Sequence, residues 1–407
     1  MTATRWLGLV LLGAALVAGG LAFVRKETSE LPVYVLGAER VLRGEAIYRA
    51  DDAKPFTYPP FFALPFVPLA HLPATWQRPA WYVLNLGLLA LVLHLARIWG
   101  QEVTTTPQRK AIYWLLLAAL AGRHLSAVFE NQSHDLLVAA TVLLGAECWR
   151  RGRELPAAAL FGIGAACKAT PLLFVLPLVL RRRWPGSTVL VGVALGLTWL
   201  PDLLTPQQGG KLWCVAWFET FLSGLDAGGT ASAQGAWNAH SLLNQSLSGT
   251  LFRLTHPAPE PGPFVRDVAV VAWTGAGGKV LVLAAQLGVL AVLALLARRA
   301  RPFALAAACA CGMVLLSPMS SKSHFCVLLL PAAYATACWL EGRSRALLLV
   351  LGAQAALGVL TIKGIVGSEF GNLCLAYGSV TGCALLALVA TGVAAWPRLP
   401  APGTAAA

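Results

Sequence analysis

The chain is predicted to fold as an all-α, polytopic integral membrane protein, and three observations predict it. Hydrophobic residues make up 57% of its 407 positions and charged residues only 12%, against roughly 25% charged in a soluble domain. Apolar runs close to the roughly 20 residues that cross a bilayer recur along its length. Arginine clusters follow alternate runs: Arg150, Arg151 and Arg153; Arg181 to Arg183; Arg298, Arg299 and Arg301; Arg343 and Arg345. Polar segments with Glu30, Asn131-Gln132, Asn244-Gln245 and His324 occupy the other turns. Arginine-rich loops stay in the cytoplasm, so the second set is expected outside. The formal charge of +13 is accounted for by these orienting clusters, and no nucleic-acid partner is expected.

Candidate spans lie at about 6–24, 80–97, 111–129, 135–149, 156–180, 186–204, 279–297, 303–316, 324–340, 345–362 and 374–396. The first carries Arg5 ahead of an apolar stretch that runs to Val24 without a small-residue cleavage pattern. It reads as a retained span and not as a removed signal. Segment 156–180 is interrupted by Lys168, Thr170 and Pro171, and both its flanks are arginine-rich. It is expected to enter and return as two short helices. Counting it twice gives about twelve crossings in a single domain, 1–396, with both termini and Arg398 inside. The Ala/Pro-rich residues 397–407 are expected to be a disordered cytoplasmic tail.

Two segments, 25–79 and 205–278, are expected to be extracytoplasmic. In the first, Val33 to Leu42 has apolar residues at helical spacing. Tyr58-Pro59-Pro60-Phe61-Phe62 then opens a proline-interrupted run to Pro73, expected to lie on or dip into the outer leaflet. The second carries Trp213, Trp217 and Trp237, which serve either as interface anchors or as platforms for sugar or lipid. A polar turn follows at 317–323. Seven of the nine cysteines lie in apolar runs, and no Cys/His spacing suits zinc. Cys214 and Cys374 fall near outer ends, where a disulfide between them stays open.

Ionisable residues in or beside spans are expensive in lipid and mark sites. Glu30 follows the first span. It is either a carboxylate favoured by a helix N-terminus or a group with a chemical task. Arg123-His124 sits six residues before the outer end of its helix, about 9 Å deep at ~1.5 Å per residue. Lys168 is at the tip of the broken pair, where irregular backbone at membrane depth lines a cavity or where a lysine caps carbonyls freed by Pro171. Lys322 and His324 follow the turn at 317–320. There is no metal motif, no nucleotide loop and no dinucleotide fingerprint, and no cofactor is expected. One carboxylate and several cations suit transfer from a phosphate-activated donor. The carboxylate takes the proton of an attacking hydroxyl, and a cation stabilises the charge growing on the leaving oxygen.

The motifs Glu30-Leu31-Pro32-Val33-Tyr34, Ala38 to Tyr48, and Phe56-Thr57-Tyr58-Pro59-Pro60-Phe61 resemble the N-terminal signature of glycosyltransferase family 87. Asn131-Gln132, Lys168-Ala169-Thr170-Pro171, Asn244-Gln245-Ser246-Leu247 and Leu316-Ser317-Pro318-Met319-Ser320 with His324 extend the resemblance over roughly 300 residues. It implies a helical bundle of the GT-C class. It also implies a polyprenyl-phosphate sugar donor, most naturally of mannose, and a lipid or glycan acceptor among the lipids of the cell (inner) membrane. By that resemblance Glu30 stands where the family has a catalytic aspartate, one methylene longer and so reaching over ~1 Å further. Ser321 and Ser323 replace a tryptophan and the first of two histidines. His324 is retained as the second catalytic candidate. Arg123, Lys168 and Lys322 are then expected on the donor phosphate, and Tyr34, Tyr58, Asn131, Gln132, Asn244 and Gln245 on the sugar. A single base implies one displacement with inversion, on the extracytoplasmic face. Two other readings stay open from the residues: a lipid-phosphate flippase or secondary transporter, although no inverted repeat is evident, and a catalytically inactive member.

Overall fold

The computed structural model describes residues 3–27, 29–224, 229, 233, 235–258, 260, 262–273, 277–342 and 344–396. Arg343, Arg398 and the expected tail 397–407 lie outside the described residues. Within them the chain is helical, with isolated bridges only at Ser241–Val265 and Gly262–Val265. The order is α1 (Ala3–Arg25), α2 (Leu31–Arg43), a 3-10 segment Pro60–Phe66 running into α3 (Val67–Ala70), α4 (Ala74–Gly100), α5 (Pro107–Asn131) and α6 (Asp135–Arg150). Next come α7 (Glu154–Cys167), a 3-10 turn Thr170–Phe174 with α8 (Val175–Leu180), α9 (Trp184–Leu204), α10 (Trp213–Trp217) and α11 (Leu247–Thr255). The last are α12 (Gly277–Arg299), α13 (Pro302–Leu316), a 3-10 segment Lys322–Leu328 with α14 (Leu329–Gly342), α15 (Arg345–Val359), α16 (Lys363–Val366), α17 (Ser368–Ala376) and α18 (Ser379–Ala395).

Local chemistry sets many of these ends. Thr106 accepts the Arg109 amide at 3.3 Å with Pro107 behind it, an N-cap followed by a residue with no amide to satisfy. Ser246 caps α11 through the Gly249 amide at 3.0 Å. Segment 156–180 is two short helices as expected: Lys168 is extended, and Pro171 begins a 3-10 turn in place of a continued α-helix. α13 is apolar on every side and buried from Ala304 to Leu315, as a helix without a polar face must be. Small residues let neighbours close on it; a Cβ at Gly312 would stand 2.7 Å from Leu173 and 2.9 Å from Leu293.

The expected twelve crossings are not confirmed. Among the described residues five helices are long and apolar enough to cross a membrane: α4, α5, α9, α12 and the unit Lys322–Gly342. The pair α17–α18, bent by 56°, makes a sixth if counted as one. Glu154–Cys167, Thr170–Leu180, Pro302–Leu316 and Arg345–Val359 are shorter; fifteen residues rise only ~22 Å, less than the ~30 Å of a hydrocarbon core. Charge alternation counts turns and carries no information on helix length. Cys214 and Cys374 are both free thiols, so the disulfide left open by the sequence is absent.

A second, smaller core forms beneath α2. Tyr34, Phe56, Phe62, Phe66, Trp81 and Trp213 are buried in it, and aromatic rings at α2 meet edge-on, Tyr34 to Phe62 at 5.2 Å. The bidentate Arg40–Asp52 pair, 2.6 Å from Nη2 to Oδ1, ties the following loop back to α2; the guanidinium holds the Asp52 carboxyl below its ordinary range. Far along the chain, buried Arg253 donates to the carbonyls of Ser241 (2.9 Å), Asn244 (2.6 Å) and Ala376 (3.0 Å). It joins the 241–244 turn to the end of α17. Each buried acceptor left without a donor costs about 1–3 kcal/mol. Arg253→Met is therefore expected to lower the thermal unfolding midpoint in detergent by several degrees; an unchanged midpoint would contradict this role.

Candidate active site

Segments from distant parts of the chain line a cavity of about 900 Å³. The turn after α1 and α2 contributes Lys26, Glu30 and Tyr34; the following loop contributes Lys54 and Tyr58. The α5–α6 junction brings Asn131 and Asp135, the break after α7 brings Lys168, and the turn before α14 brings Lys322 and His324. Trp217, Phe221, Trp237, Leu243, Phe264 and Leu375 add aromatic and apolar surface. The lining thus combines ionic groups with aromatic and apolar side chains.

Glu30 is held by its backbone: its amide donates to the Asn131 carbonyl at 2.9 Å, and its own carbonyl accepts the Val33 amide at 3.0 Å. Its carboxylate makes no cap on α2. It accepts instead from Lys54 Nζ at 2.6 Å. Glu30 stands at the N-cap of α2, where its charge suits the helix dipole, and its partner Lys54 escaped the sequence analysis altogether.

Asp135 was also missed. It opens α6 and is 4% exposed, with Lys168 Nζ at 2.9 Å and His324 Nε2 at 3.8 Å from one carboxylate oxygen. A signal existed: an acid at the first position of an apolar run is the ionisable residue beside a span that marks a site. The tautomer of His324 follows from its other nitrogen. Nδ1 accepts the Ser321 amide at 3.2 Å, so the neutral ring carries its proton on Nε2, toward Asp135. Ser323 bonds the Ser321 hydroxyl at 2.8 Å.

Tyr34 and Tyr58 flank this ionic group. Burial raises both phenols well above their ordinary range, and the negative charges of Glu30 and Asp135 raise them further. Both stay neutral hydroxyls at physiological pH. Tyr34 Oη meets Nδ1 of buried His134 at 3.0 Å, an orienting contact the sequence analysis did not contain.

Four expected site residues do not line the cavity. The Arg123 guanidinium turns to α15, donating to Thr361 Oγ1 at 2.5 Å and toward the Gly358 carbonyl at 3.4 Å. Gln132 is in the left-handed region (φ 50°) and donates to the Phe23 carbonyl at 2.5 Å, while its carbonyl accepts the Trp81 indole at 2.9 Å. Asn244 accepts the Ser320 amide and donates to the Pro318 carbonyl, both at 3.1 Å. Gln245 donates to the Leu242 and Leu375 carbonyls at 2.7 Å, and its backbone amide to Ser320 O at 2.6 Å. These amides serve buried backbone groups that would otherwise be unpaired, and the last two fix the turn that carries Lys322 and His324. Of the three tryptophans, Trp217 and Trp237 face the cavity; Trp213 is buried, with its indole on the Thr205 carbonyl at 2.8 Å. Arg123→Met is expected to lower thermal stability while leaving the substrate KM values within about twofold; a KM rise without loss of stability would put Arg123 back in the site.

The described residues thus form helices around a cavity lined by carboxylate–lysine pairs and by aromatic and apolar side chains. The sequence comparisons name the class. The family model for glycosyltransferase family 87 matches residues 56–318, and the chain belongs to that family. It is 27% identical over 319 residues to a polyprenol-phosphate-mannose-dependent alpha-(1-2)-phosphatidylinositol mannoside mannosyltransferase of Mycobacterium tuberculosis, covering 74% of this chain and 68% of that protein. A Mycolicibacterium smegmatis protein of the same description is 28% identical over 249 residues, 55% of this chain and 52% of its own. A pentamannoside mannosyltransferase from that organism is 28% identical over 284 residues, 65% and 62%. The chain thus spans 52% to 68% of the lengths of these relatives. No solved structure matches. The family match takes in Tyr58, Asn131, Asp135 and Lys168 and stops short of Glu30 and His324.

Proposed function

We propose that the protein transfers mannose from a polyprenyl-phosphate donor to a hydroxyl of a lipid or glycan acceptor on the extracytoplasmic face of the cell membrane, with inversion. The observation that carries this reading is the convergence of Glu30, Asp135, Lys168, Lys322 and His324 on one cavity that is also lined by aromatic and apolar side chains. The names of the relatives support the donor and a glycolipid acceptor. In this mechanism Glu30 takes the proton of the acceptor hydroxyl as its oxygen bonds to the anomeric carbon. The bond from that carbon to the phosphate oxygen breaks, and its electron pair leaves on the polyprenyl phosphate. Cations of the cavity wall, Lys168, Lys322 and the Nε2–H of His324, stabilise that growing charge. Tyr34, Tyr58 and Asn131 supply neutral hydrogen bonds to the sugar. The arginine-rich turns support an orientation with both termini cytoplasmic.

Purified protein in liposomes, given labelled polyprenyl-phosphate mannose and membrane lipid, tests this directly. A new labelled glycolipid is expected. Label that only changes leaflet would identify a flippase, and label that neither moves nor transfers would overturn the donor assignment.

A further inference from the structure

We infer that Lys26 and Lys322, which both line the cavity and both face Glu130, form an anion subsite additional to the Lys168–Asp135 pair that takes the phosphodiester of a lipid. The inference rests on the glycosyl-transfer reading for the identity of its ligand, and on charge placement for its position. Two of the four cavity lysines are already committed. Lys54 is spent on Glu30 at 2.6 Å, and Lys168 on Asp135 at 2.9 Å. Each therefore offers a phosphate less net positive charge than a lysine without a carboxylate partner.

Lys26 and Lys322 differ. Among the described residues Lys26 makes no ion pair; its ammonium donates to the Glu130 backbone carbonyl. Lys322 lies 3.9 Å from the Glu130 carboxylate, too far for a hydrogen bond. Lys322 also stands in the field of Lys26, Arg123 and Lys363, with Glu130 as the opposing charge. Lys26, Lys322 and Glu130 together carry one positive charge in excess, whereas Lys168 and Asp135 cancel.

Accessibility points the same way. Lys322 is 27% exposed and Glu130 56%, against 14% and 4% for Lys168 and Asp135. An incoming headgroup reaches the first pair without breaking a buried contact, and Glu130 can swing into water. Two ammonium groups with replaceable partners suit a phosphodiester oxygen pair. A donor phosphodiester gains a second negative charge when its sugar leaves, so surplus positive charge there favours the product side of the step. An acceptor phospholipid presents the same group, so the two sources are separated by experiment.

Binding of polyprenyl monophosphate and of phosphatidylinositol vesicles is measured on full-length protein by calorimetry, beside transfer kinetics. Lys26→Gln and Lys322→Gln keep a hydrogen-bond donor and remove the charge. Together they are expected to weaken one of the two ligands about ten- to a hundredfold, while Lys26→Arg and Lys322→Arg stay near wild type. Loss confined to polyprenyl monophosphate assigns the subsite to the donor; loss confined to the vesicles assigns it to the acceptor. Lys110→Gln, on an exposed lysine outside the cavity, serves as the control. Wild-type affinity of the folded double variant for both ligands overturns the subsite. Intact binding through these lysines with no glycolipid formed by the wild type would instead reject the transfer reading and leave the subsite standing.

Discussion

Glu30→Gln is expected to lower the rate of transfer at saturating substrates by about 10²–10⁴-fold while leaving donor affinity near wild type. The substitution is close to isosteric and keeps an oxygen that can accept from Lys54, so the cavity wall is preserved. What it removes is the capacity to take a proton. The binding cations are contributed by other segments, Lys168 from the broken helix pair and Lys322 from the turn before α14, and do not depend on Glu30. Glu30→Asp is expected to retain part of the rate, since it keeps a carboxylate on an arm one methylene shorter. Turnover preserved in Glu30→Gln would remove this residue from the mechanism. A large loss of donor affinity would make it a binding group.

Asp135→Ala is expected to cost stability and activity together. The Asp135 carboxylate is almost fully enclosed and neutralises Lys168 at 2.9 Å. Removing one member of a buried ion pair leaves the other charge uncompensated, at about 3–5 kcal/mol. Chemical denaturation in detergent checks this, with Lys168→Met as the reciprocal case. The double variant Asp135→Leu with Lys168→Met should recover part of the stability, because a buried pair replaced by apolar side chains is often neutral. It should not recover transfer, since Lys168 and the orientation of His324 are lost with it. Independent, additive effects of the two single variants would mean that the pair is not the functional unit proposed here.

The helices were legible in the sequence because their cause is local. Apolar runs, Pro107, Pro171 and the serine and threonine caps act within a few residues, and α2 follows from the spacing of Val33 to Leu42. The length of each crossing was not legible, since arginine alternation reports turns only. Within the site, Glu30, Lys168 and His324 stood out because charges beside apolar runs are conspicuous. Asp135 stood beside one too, but its weight depends on Lys168, 33 positions later, folding back to 2.9 Å. Arg123 misled for a related reason. Its depth along α5 could be estimated at ~1.5 Å per residue, whereas the direction it faces is fixed by the packing of α15. Asn131-Gln132 and Asn244-Gln245 share a motif position yet differ in use: Asn131 faces the cavity, and the other three satisfy buried backbone.

In the proposed mechanism, of two carboxylates on the same cavity, Glu30 removes the proton and Asp135 positions Lys168 and His324. Azide separates these roles, since it attacks a glycosyl donor without needing a base. With polyprenyl-phosphate mannose and azide, Glu30→Ala is predicted to form mannosyl azide of inverted anomeric configuration, and Asp135→Ala to form none. Mannosyl azide from Asp135→Ala with Glu30→Ala inert would contradict the assignment.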